Sequence, residues 1–301
     1  MKPHEWTRRR FLTTTVAIAG WALCPPRFGA AETPRRTASD LVPLGRTGLT
    51  ISRLGVGTGS NAGEVQRRLG RSGFERLIRH AFDRGVTYID TAEAYQTHEY
   101  IREAIRGLPR EKLFILTKIP GVPEKPLEVL DRYRRELGVD YLDCVLTHCA
   151  TSARWDDERR RVLDALELAK QKGMIRAKGV SCHGLPALCR ATQVDWVEVH
   201  LVRLNPQGRH IDGTSDRWNE SGNETTLPRV VQEIRSMRAK GRGIIGMKIV
   251  GNGEFRSPED REKSIRFVMQ SDLVDAITIG FASTEEIDEA IERMNRALAQ
   301  A

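Results

Sequence analysis

Three apolar stretches of this 301-residue chain end on an ionisable side chain. Asp90 ends VTYID, Lys118 ends LFILTK, and His148 ends LDCVLTH. A phenol, Tyr95, follows Asp90 after five residues. Each alone has an ordinary explanation, such as a helix cap or a core histidine. Their repetition at the same end of successive stretches indicates one site.

Together these groups could deliver a proton to an oxygen atom. A phenol has a pKa of about 10, and a nearby lysine ammonium favours the phenolate and lowers that pKa. Asp90 would keep Lys118 charged and positioned in a poorly solvated pocket. His148 would donate a hydrogen bond that orients a carbonyl oxygen. This chemistry suits carbonyl reduction, for which a cofactor must supply the hydride because no side chain can.

Strand-like and helix-like patterns alternate along the chain and would position these groups. The predicted strands are 51–57, 86–90, 113–118, 142–148, 175–181, 196–204, 243–249 and 275–281. The predicted helices are 74–84, 97–107, 125–137, 155–172, 185–192, 227–240, 259–270 and 284–298. Eight such pairs within about 260 residues predict one (β/α)8 TIM barrel, in which the carboxyl ends of the strands meet at one mouth.

A doubly wound sheet is the alternative fold. It would require a glycine-rich turn that opens a helix directly after the first strand, and GVGTGSNAG (55–63) has no periodic helix immediately behind it. The stretch LVPLGRTGLTISRLG predicts an N-terminal β-hairpin that closes the barrel floor. The polar segment between Asn205 and Leu227 follows strand six, and its His210 and Trp218 favour a lid over a solvated linker.

The N-terminus has the pattern of an export signal. Adjacent arginines in TRRRFL precede the short apolar run FLTTTVAIAGWAL, and the small residues GAA follow. This pattern predicts a twin-arginine-type signal peptide at 1–31, a linker at 32–40 and the barrel at 41–301. The Tat machinery would then export the chain, with the periplasm as its destination, and the run is too short to predict a stable membrane span.

Composition narrows the choice of partners. The net charge is +8, but residues 1–36 hold seven of the 48 lysines and arginines and only two of the 40 acidic residues. No basic stripe alternates with aromatic residues, so nucleic-acid binding is not predicted. The cysteines have no zinc spacing, and no metal site is predicted; Cys144 is expected in the core. Disulfide formation stays open.

With these features the chain resembles the aldo-keto reductases over roughly residues 41–298. The matching stretches are LGRTGLTISRLGVGT, GVTYIDTAEAY, LFILTK, YLDCVLTH, GMIRAKGVS, GIIGMKIVGNG and IGFASTEEIDEA. The resemblance implies a catalytic tetrad of Asp90, Tyr95, Lys118 and His148, with Tyr95 as general acid. It also implies a nicotinamide cofactor, NADP(H) more than NAD(H), lying across the barrel mouth.

The resemblance further implies the cofactor-binding residues. Gly57 and Thr58 match the contact of the first strand, and Ser181 matches the serine that holds the nicotinamide amide. At the adenosine end the matching residues are Gly280, Ser283 and Glu286. Ser283 and Glu286 also form a predicted capping box for the last helix.

The sequence departs from the family pattern at three strands. Cys182 follows Ser181 where an asparagine is usual. Strand six lacks the usual glutamine, for which His200 or Asn205 could compensate. Strand seven carries Met247 and Lys248 in place of a stacking aromatic residue. The acidic STEEIDEA also lacks an arginine for a 2′-phosphate, and Lys248 or Arg256 could serve instead.

The expected function is therefore an NAD(P)H-dependent oxidoreductase that interconverts a small-molecule carbonyl and an alcohol. The alternative is a nucleotide-binding sensor or partner subunit on the same barrel with little catalysis, because fold alone does not fix function. A metal-dependent barrel hydrolase is a third hypothesis, which the lysine between Asp90 and His148 disfavours.

Overall fold

The computed structural model describes residues 36–301. The predicted signal peptide (1–31) lies outside the described residues. A hairpin of β1 (Leu41–Pro43) and β2 (Thr50–Ser52) comes first, with Val42 paired antiparallel to Ile51. The side chains of Leu44, Leu49 and Ile51 are buried against the barrel interior. The predicted hairpin at the barrel floor is confirmed.

Eight parallel strands form a closed barrel, as predicted. They are β3 (Leu54–Gly57), β4 (Tyr88–Asp90), β5 (Phe114–Pro120), β6 (Leu142–Ala150), β7 (Ile175–Cys182), β8 (Val199–Arg203), β9 (Gly243–Met247) and β10 (Ala276–Gly280). The last strand pairs with the first, with Ile277 opposite Leu54 and Gly280 opposite Gly57. A closed barrel leaves no strand edge exposed.

The helices surround the barrel. They are α1 (Glu64–Arg67), α2 (Gly70–Asp83), α3 (His98–Ala104), α4 (Pro126–Leu137), α5 (Trp155–Glu158), α6 (Arg160–Gln171), α7 (Leu185–Gln193), α8 (Leu227–Ala239), α9 (Pro258–Gln270) and α10 (Thr284–Leu298). The predicted capping box is present at α10: Ser283 Oγ accepts from Glu286 N, and Glu286 Oε2 accepts from Ala282 N.

Two predicted elements are divided in the structure. The strand predicted at 51–57 breaks at Ser52, whose hydroxyl donates to Leu54 O and accepts from the backbone N–H of Tyr88. The helix predicted at 155–172 breaks at Arg159, whose guanidinium leaves the helix surface and donates to the backbone carbonyls of His148 and Cys149. In both cases a side-chain hydrogen bond to a neighbouring strand overrides the local pattern.

Side chains alternate between two apolar cores along each strand. One core fills the barrel, with Tyr88, Phe114, Leu116 and Leu201 among its members. The other lies between strands and helices. The alternation decides which polar residues reach the mouth. The inward-facing side of the strand ends carries Gly57, Asp90, Lys118, His148, Ser181, Arg203, Met247 and Gly280.

The end of the predicted linker packs on the barrel instead of crossing solvent. Ala38 is fully buried, its carbonyl accepts from Leu54 N at 2.9 Å, and its N–H donates to Asn295 Oδ1 at 2.8 Å. Thr37 Oγ1 donates to Asp40 Oδ1 at 2.5 Å. Among residues 36–301, no helix combines the length and the apolar character needed to cross a membrane.

The segment after β8 folds back on itself. Asp212 and Ser221 form an antiparallel bridge, and Gly213 O accepts from Leu185 N at the start of α7 at 2.8 Å. His210 Nε2 lies 2.6 Å from Glu254 Oε1, whereas Trp218 is exposed. The segment between Asn205 and Leu227 is thus tied to the carboxyl side of the barrel at several points.

Candidate active site

A buried ion pair lies at the centre of the mouth. Lys118 Nζ donates to Asp90 Oδ1 at 2.7 Å and to Thr91 O at 2.8 Å, and Asp90 Oδ2 accepts from Tyr88 OH at 2.9 Å. Lys118 is 1% exposed and Asp90 is 4% exposed. Removing such charges from water is costly unless each is paired and hydrogen-bonded, as both are here. Burial opposes the charge on Lys118, but Asp90 outweighs it and raises the lysine pKa.

Tyr95 and His148 meet above this pair. The phenol oxygen of Tyr95 lies 3.5 Å from His148 Nε2, and the two rings are nearly perpendicular at 87°. Lys118 Nζ lies 5.0 Å from the centre of the Tyr95 ring. The four predicted catalytic residues therefore converge on one point, although three strands and a connecting segment contribute them.

The pKa of Tyr95 is raised rather than lowered. Burial raises it, while the charge of Lys118 opposes the rise without cancelling it. This differs from the sequence-based expectation of a lowered value. Burial counts for more because the phenol lies in a poorly solvated mouth. Tyr95 is consequently protonated in the resting site and able to donate its proton.

His148 is neutral. Burial, together with the charges of Lys118 and Arg159, lowers its pKa to about 3. A neutral imidazole carries one N–H donor and one acceptor. His148 can therefore donate a hydrogen bond to an oxygen without adding a charge to the mouth.

Close packing fixes the position of Tyr95. The residue ends a short 3-10 helix, Glu93–Tyr95, and Glu93 Oε2 accepts from Tyr133 OH at 2.6 Å. A side-chain nitrogen of Arg67 donates to the carbonyl of Tyr95. On the ring side, glycine at position 59 leaves room for the phenol.

A cavity of about 510 Å³ extends from Tyr95 and Asp90 across the barrel mouth. Gly57, Lys248, Gly280 and Glu286 of the predicted cofactor residues line it. A β-carbon at position 280 would stand 2.0 Å from Ser60 Oγ, and one at 57 would stand 3.0 Å from Thr278 Oγ1. Glycine at both positions avoids these contacts and leaves the groove open there.

The residues fit a nicotinamide dinucleotide. Ser181 is fully buried and its Oγ has no hydrogen-bond partner, and Thr278 Oγ1 on the cavity wall is also without one. Unpaired buried hydroxyls are uncommon in folded proteins and require an explanation. A carboxamide bound at the inward face of β7 would satisfy Ser181, the role that the resemblance implies for it.

Other predicted cofactor residues have different local partners. The hydroxyl of Thr58 bonds to Asp90 O at 3.0 Å and to Thr97 Oγ1 at 2.9 Å. Asn205 uses its amide on the backbone: its nitrogen donates to Lys248 O and its oxygen accepts from Arg209 N. Ser283 caps α10. His200 faces the helices, buried beside Arg242, so it does not replace the missing glutamine.

Three arginines line the far part of the cavity: Arg256, Arg261 and Arg293. Arg261 and Arg293 both pair with Glu289, and Arg293 also pairs with Glu262. Arg256 is exposed, and among residues 36–301 it forms no ion pair. It is the arginine in this part of the cavity with a free guanidinium.

Two polar residues of the mouth were not predicted from the sequence. Arg203 ends β8 on the inward face and is 4% exposed, and His183 follows β7 with its ring 6.3 Å from that of His148. Arg203 follows the same rule as the other site residues, an ionisable side chain at a strand end, and that rule could have identified it. Across residues 36–301, no cluster of three or more His, Cys, Asp or Glu could hold a metal ion.

Comparison with known proteins agrees with this fold. The model of the Aldo/keto reductase family matches residues 53–299. The NAD/NADP-dependent indole-3-acetaldehyde reductase of Schizosaccharomyces pombe is 28% identical over 169 residues, which cover 53% of this chain and 57% of that protein. The chain thus spans about half the length of the curated relatives that it matches.

Solved structures have the same fold over a longer range. A candidate aldo-keto reductase from Pseudomonas aeruginosa superposes with a TM-score of 0.67 at 25% identity, covering 88% of this chain and 98% of the other. The holo form of an aldo-keto reductase from Bacillus halodurans also gives a TM-score of 0.67, and its 17% identity supports the fold alone. With its family match over 53–299, the chain belongs to the aldo/keto reductase family.

Proposed function

We propose that this protein is an NAD(P)H-dependent oxidoreductase that interconverts an aldehyde or ketone and its alcohol. The observation that carries the proposal is the meeting of Tyr95 OH and His148 Nε2 at 3.5 Å above the buried Lys118–Asp90 pair. Family membership supports it, since the relatives are named as reductases. The alternative, a nucleotide-binding sensor without turnover, would not require Tyr95 and His148 to meet above the ion pair.

His148 and Tyr95 have different roles at the carbonyl oxygen. His148 donates a hydrogen bond that holds the oxygen, and Tyr95 donates its proton as negative charge develops there. When bound at the mouth, NAD(P)H would supply the hydride to the carbonyl carbon. Protein donors that are already fixed in place stabilise the developing charge without having to reorganise.

The buried pair supports the proton transfer. When Tyr95 has lost its proton, the Lys118 ammonium near its ring stabilises the phenolate. Asp90 and Thr91 O hold Lys118 in place, so this charge stays fixed through the reaction. In the reverse direction the phenolate accepts the alcohol proton, and the same lysine keeps that state accessible.

The cofactor is proposed to be NADP(H) in preference to NAD(H). Ser181 would hold the carboxamide, and Gly57 and Gly280 would leave room for the dinucleotide. Arg256 supports the choice because its guanidinium is free on the cavity wall and matches a 2′-phosphate. Lys248 is less suited, since its ammonium shares the mouth with Lys118 and Arg203, whose charges, after burial, lower its pKa to about 8.

The export of the folded protein is part of the proposal. The adjacent arginines in TRRRFL and the small residues GAA support a twin-arginine signal and a periplasmic destination. Mass spectrometry of the protein from a cell that exports it should give a mature chain that begins at Glu32. Full-length protein in the cytoplasm, unaffected by replacing Arg8 and Arg9 with lysine, would contradict export.

Two measurements test the activity. The mass of the nucleotide that copurifies with the protein should be that of NADP(H). Purified protein should then oxidise NADPH when aldehydes and ketones are supplied. Tight NADPH binding with no turnover of any carbonyl in a broad panel would instead favour the sensor.

A further inference from the structure

His183 and Arg203 form a second polar pair beside His148. The rings of His148 and His183 are 6.3 Å apart and nearly perpendicular. Nη2 of Arg203 is hydrogen-bonded to Nδ1 of His183. These residues come from the carboxyl ends of β7 and β8, and neither has a role in the proton transfer described above.

The hydrogen bond fixes the tautomer of His183. A guanidinium can only donate, so Nδ1 of His183 is the acceptor and its proton must be on Nε2. Burial and the charges of Arg203, Lys248 and Lys118 lower the pKa of His183, which keeps the ring neutral. His183 therefore offers a single N–H donor, of fixed tautomer, next to the histidine that holds the carbonyl oxygen.

The positive charges on this side of the mouth are only partly neutralised. Arg203 Nε lies 3.8 Å from Asp212 Oδ1, and neither this Nε nor either carboxylate oxygen of Asp212 has a hydrogen-bond partner. Lys248 Nζ donates to Asn252 Oδ1 at 2.8 Å, and in the described part of the chain no carboxylate lies within ion-pair distance of it. Arg203 thus retains incompletely compensated positive charge, and Lys248, which lines the cavity, retains both charge and free donors for a ligand.

We propose that His183, Arg203 and Lys248 form a binding site for a carboxylate attached to the reacting carbonyl carbon, so that 2-oxo acids are the preferred substrates. The inference rests on the proposed function. A carboxylate has only acceptor oxygens and is matched by N–H donors and cations. Because His183 adjoins His148, an oxygen that it holds belongs to a group close to the carbonyl.

The reaction is balanced for this substrate class. The carbonyl carbon of the 2-oxo acid gains a hydride from NAD(P)H, its oxygen gains the proton of Tyr95, and the product is a 2-hydroxy acid. The carboxylate is unchanged and serves only to hold the molecule. An aldehyde without a charged group would lack this interaction, and its KM would be higher.

Phenylglyoxylate and its methyl ester provide a matched pair of probes. They share the ketone and the aryl ring and differ in the negative charge. We expect wild-type kcat/KM for the acid to exceed that for the ester at least about tenfold, because a charge-assisted hydrogen bond contributes about that factor. The ester is the more electrophilic ketone, so equal or better turnover of the ester would overturn the proposal.

Variants of Arg203 and Asp212 test whether this pair produces the preference for the acid over the ester. Arg203→Met combined with Asp212→Asn removes both members of the buried pair and leaves no unpaired buried charge. We expect the acid-to-ester ratio of kcat/KM to fall at least about tenfold, mainly through the KM of the acid. Arg203→Lys with Asp212 intact keeps the charge and should retain part of the preference. An unchanged ratio in the double variant would overturn the assignment.

Binding separates this inference from the proposed activity. The change in tryptophan fluorescence on titration gives the Kd of each probe for the wild-type holoenzyme, with no turnover required. If neither probe is reduced but the acid binds at least about tenfold more tightly than the ester, the proposed function fails for these ketones and the carboxylate site stands. If both bind equally, the site is refuted whether or not turnover occurs.

Discussion

Gly59 lies against the phenol ring of Tyr95. A β-carbon at position 59 would stand 2.5 Å from Cε2 and Cζ of that ring, and one at position 63 would stand 2.3 Å from the Tyr95 carbonyl. Real contacts of this kind do not occur, so a side chain at either position must displace the tyrosine. Two glycines in the first strand–helix connection therefore set the place of the proposed proton donor.

Gly59→Ala should lower kcat for carbonyl reduction about 10- to 100-fold, because a displacement of the order of 1 Å can cost about that much. Thermal unfolding should change little, since the phenol can move toward the open mouth. Gly73→Ala, in the first turn of α2, is the matched control and should leave kcat within about twofold. Wild-type kcat in Gly59→Ala would contradict the packing argument.

Asp90→Asn should leave Lys118 buried without its counter-charge and cost about 3–5 kcal/mol in the free energy of unfolding. The paired variant Asp90→Asn with Lys118→Met removes both charges, and we expect it to be more stable than Asp90→Asn alone. Denaturant unfolding measures both differences. A double variant no more stable than Asp90→Asn would show that the two charges are not coupled.

Acid should destabilise the fold through buried neutral histidines. Burial lowers the pKa of four of them: His98, His148, His183 and His200. Because their unfolded pKa is about 6.5, the unfolded chain binds more protons below that pH, and the unfolding free energy falls as the pH drops. For His148 the loss extends from about 6.5 down to its folded pKa of about 3.

His148→Gln should reduce the proton uptake on unfolding near pH 5 by about one. The uptake follows from the slope of unfolding free energy against pH. His80→Gln is a suitable control because His80 lies at the surface and pairs with Asp288. An uptake identical in wild type and His148→Gln would mean that His148 is not held neutral.

The rate of carbonyl reduction should vary little with pH through neutrality. The pKa of Tyr95 is above its ordinary value of 10.0, so the phenol stays protonated, and reduction should hold within about twofold from about pH 6 to about pH 9. Alcohol oxidation needs the phenolate and should rise across that range. A reduction rate that falls tenfold between pH 7 and 9 would place the proton donor elsewhere.

Arg256→Gln tests the proposed cofactor preference. We expect KM for NADPH to rise at least about tenfold more than KM for NADH, because the free guanidinium is proposed to pair with the 2′-phosphate. Arg266→Gln is a control of the same charge change on the neighbouring α9, away from the lining of the cavity. Equal rises for both cofactors in Arg256→Gln would remove the argument for NADP(H).

The fold and the core of the site could be predicted because they depend on local pattern and strand polarity. Strands that end on Asp90, Lys118 and His148 share one end of the barrel, and the structure brings these groups together. The floor hairpin and the capping box at Ser283 also follow from short-range pattern. Each prediction needed only neighbours in sequence and the topology of the barrel.

Other features depend on contacts between distant residues. The sign of the Tyr95 pKa shift comes from burial, which the sequence does not show. Alternate side chains of β8 point to opposite sides, so His200 faces the helices and Arg203 faces the mouth. The predicted strand 196–204 did not establish which of its residues point inward. The amide of Asn205, which is predicted to contact a cofactor, also closes a loop by donating to Lys248 O, and the sequence does not show that contact.

The most direct test of the central claim is Tyr95→Phe, which removes the phenol oxygen and keeps the ring against Gly59. With NADPH and a carbonyl that the wild type reduces well, kcat should fall about 100- to 10,000-fold, while the Kd for NADPH stays within about threefold. That result would establish Tyr95 as the proton donor. Equal kcat in wild type and Tyr95→Phe would contradict the account.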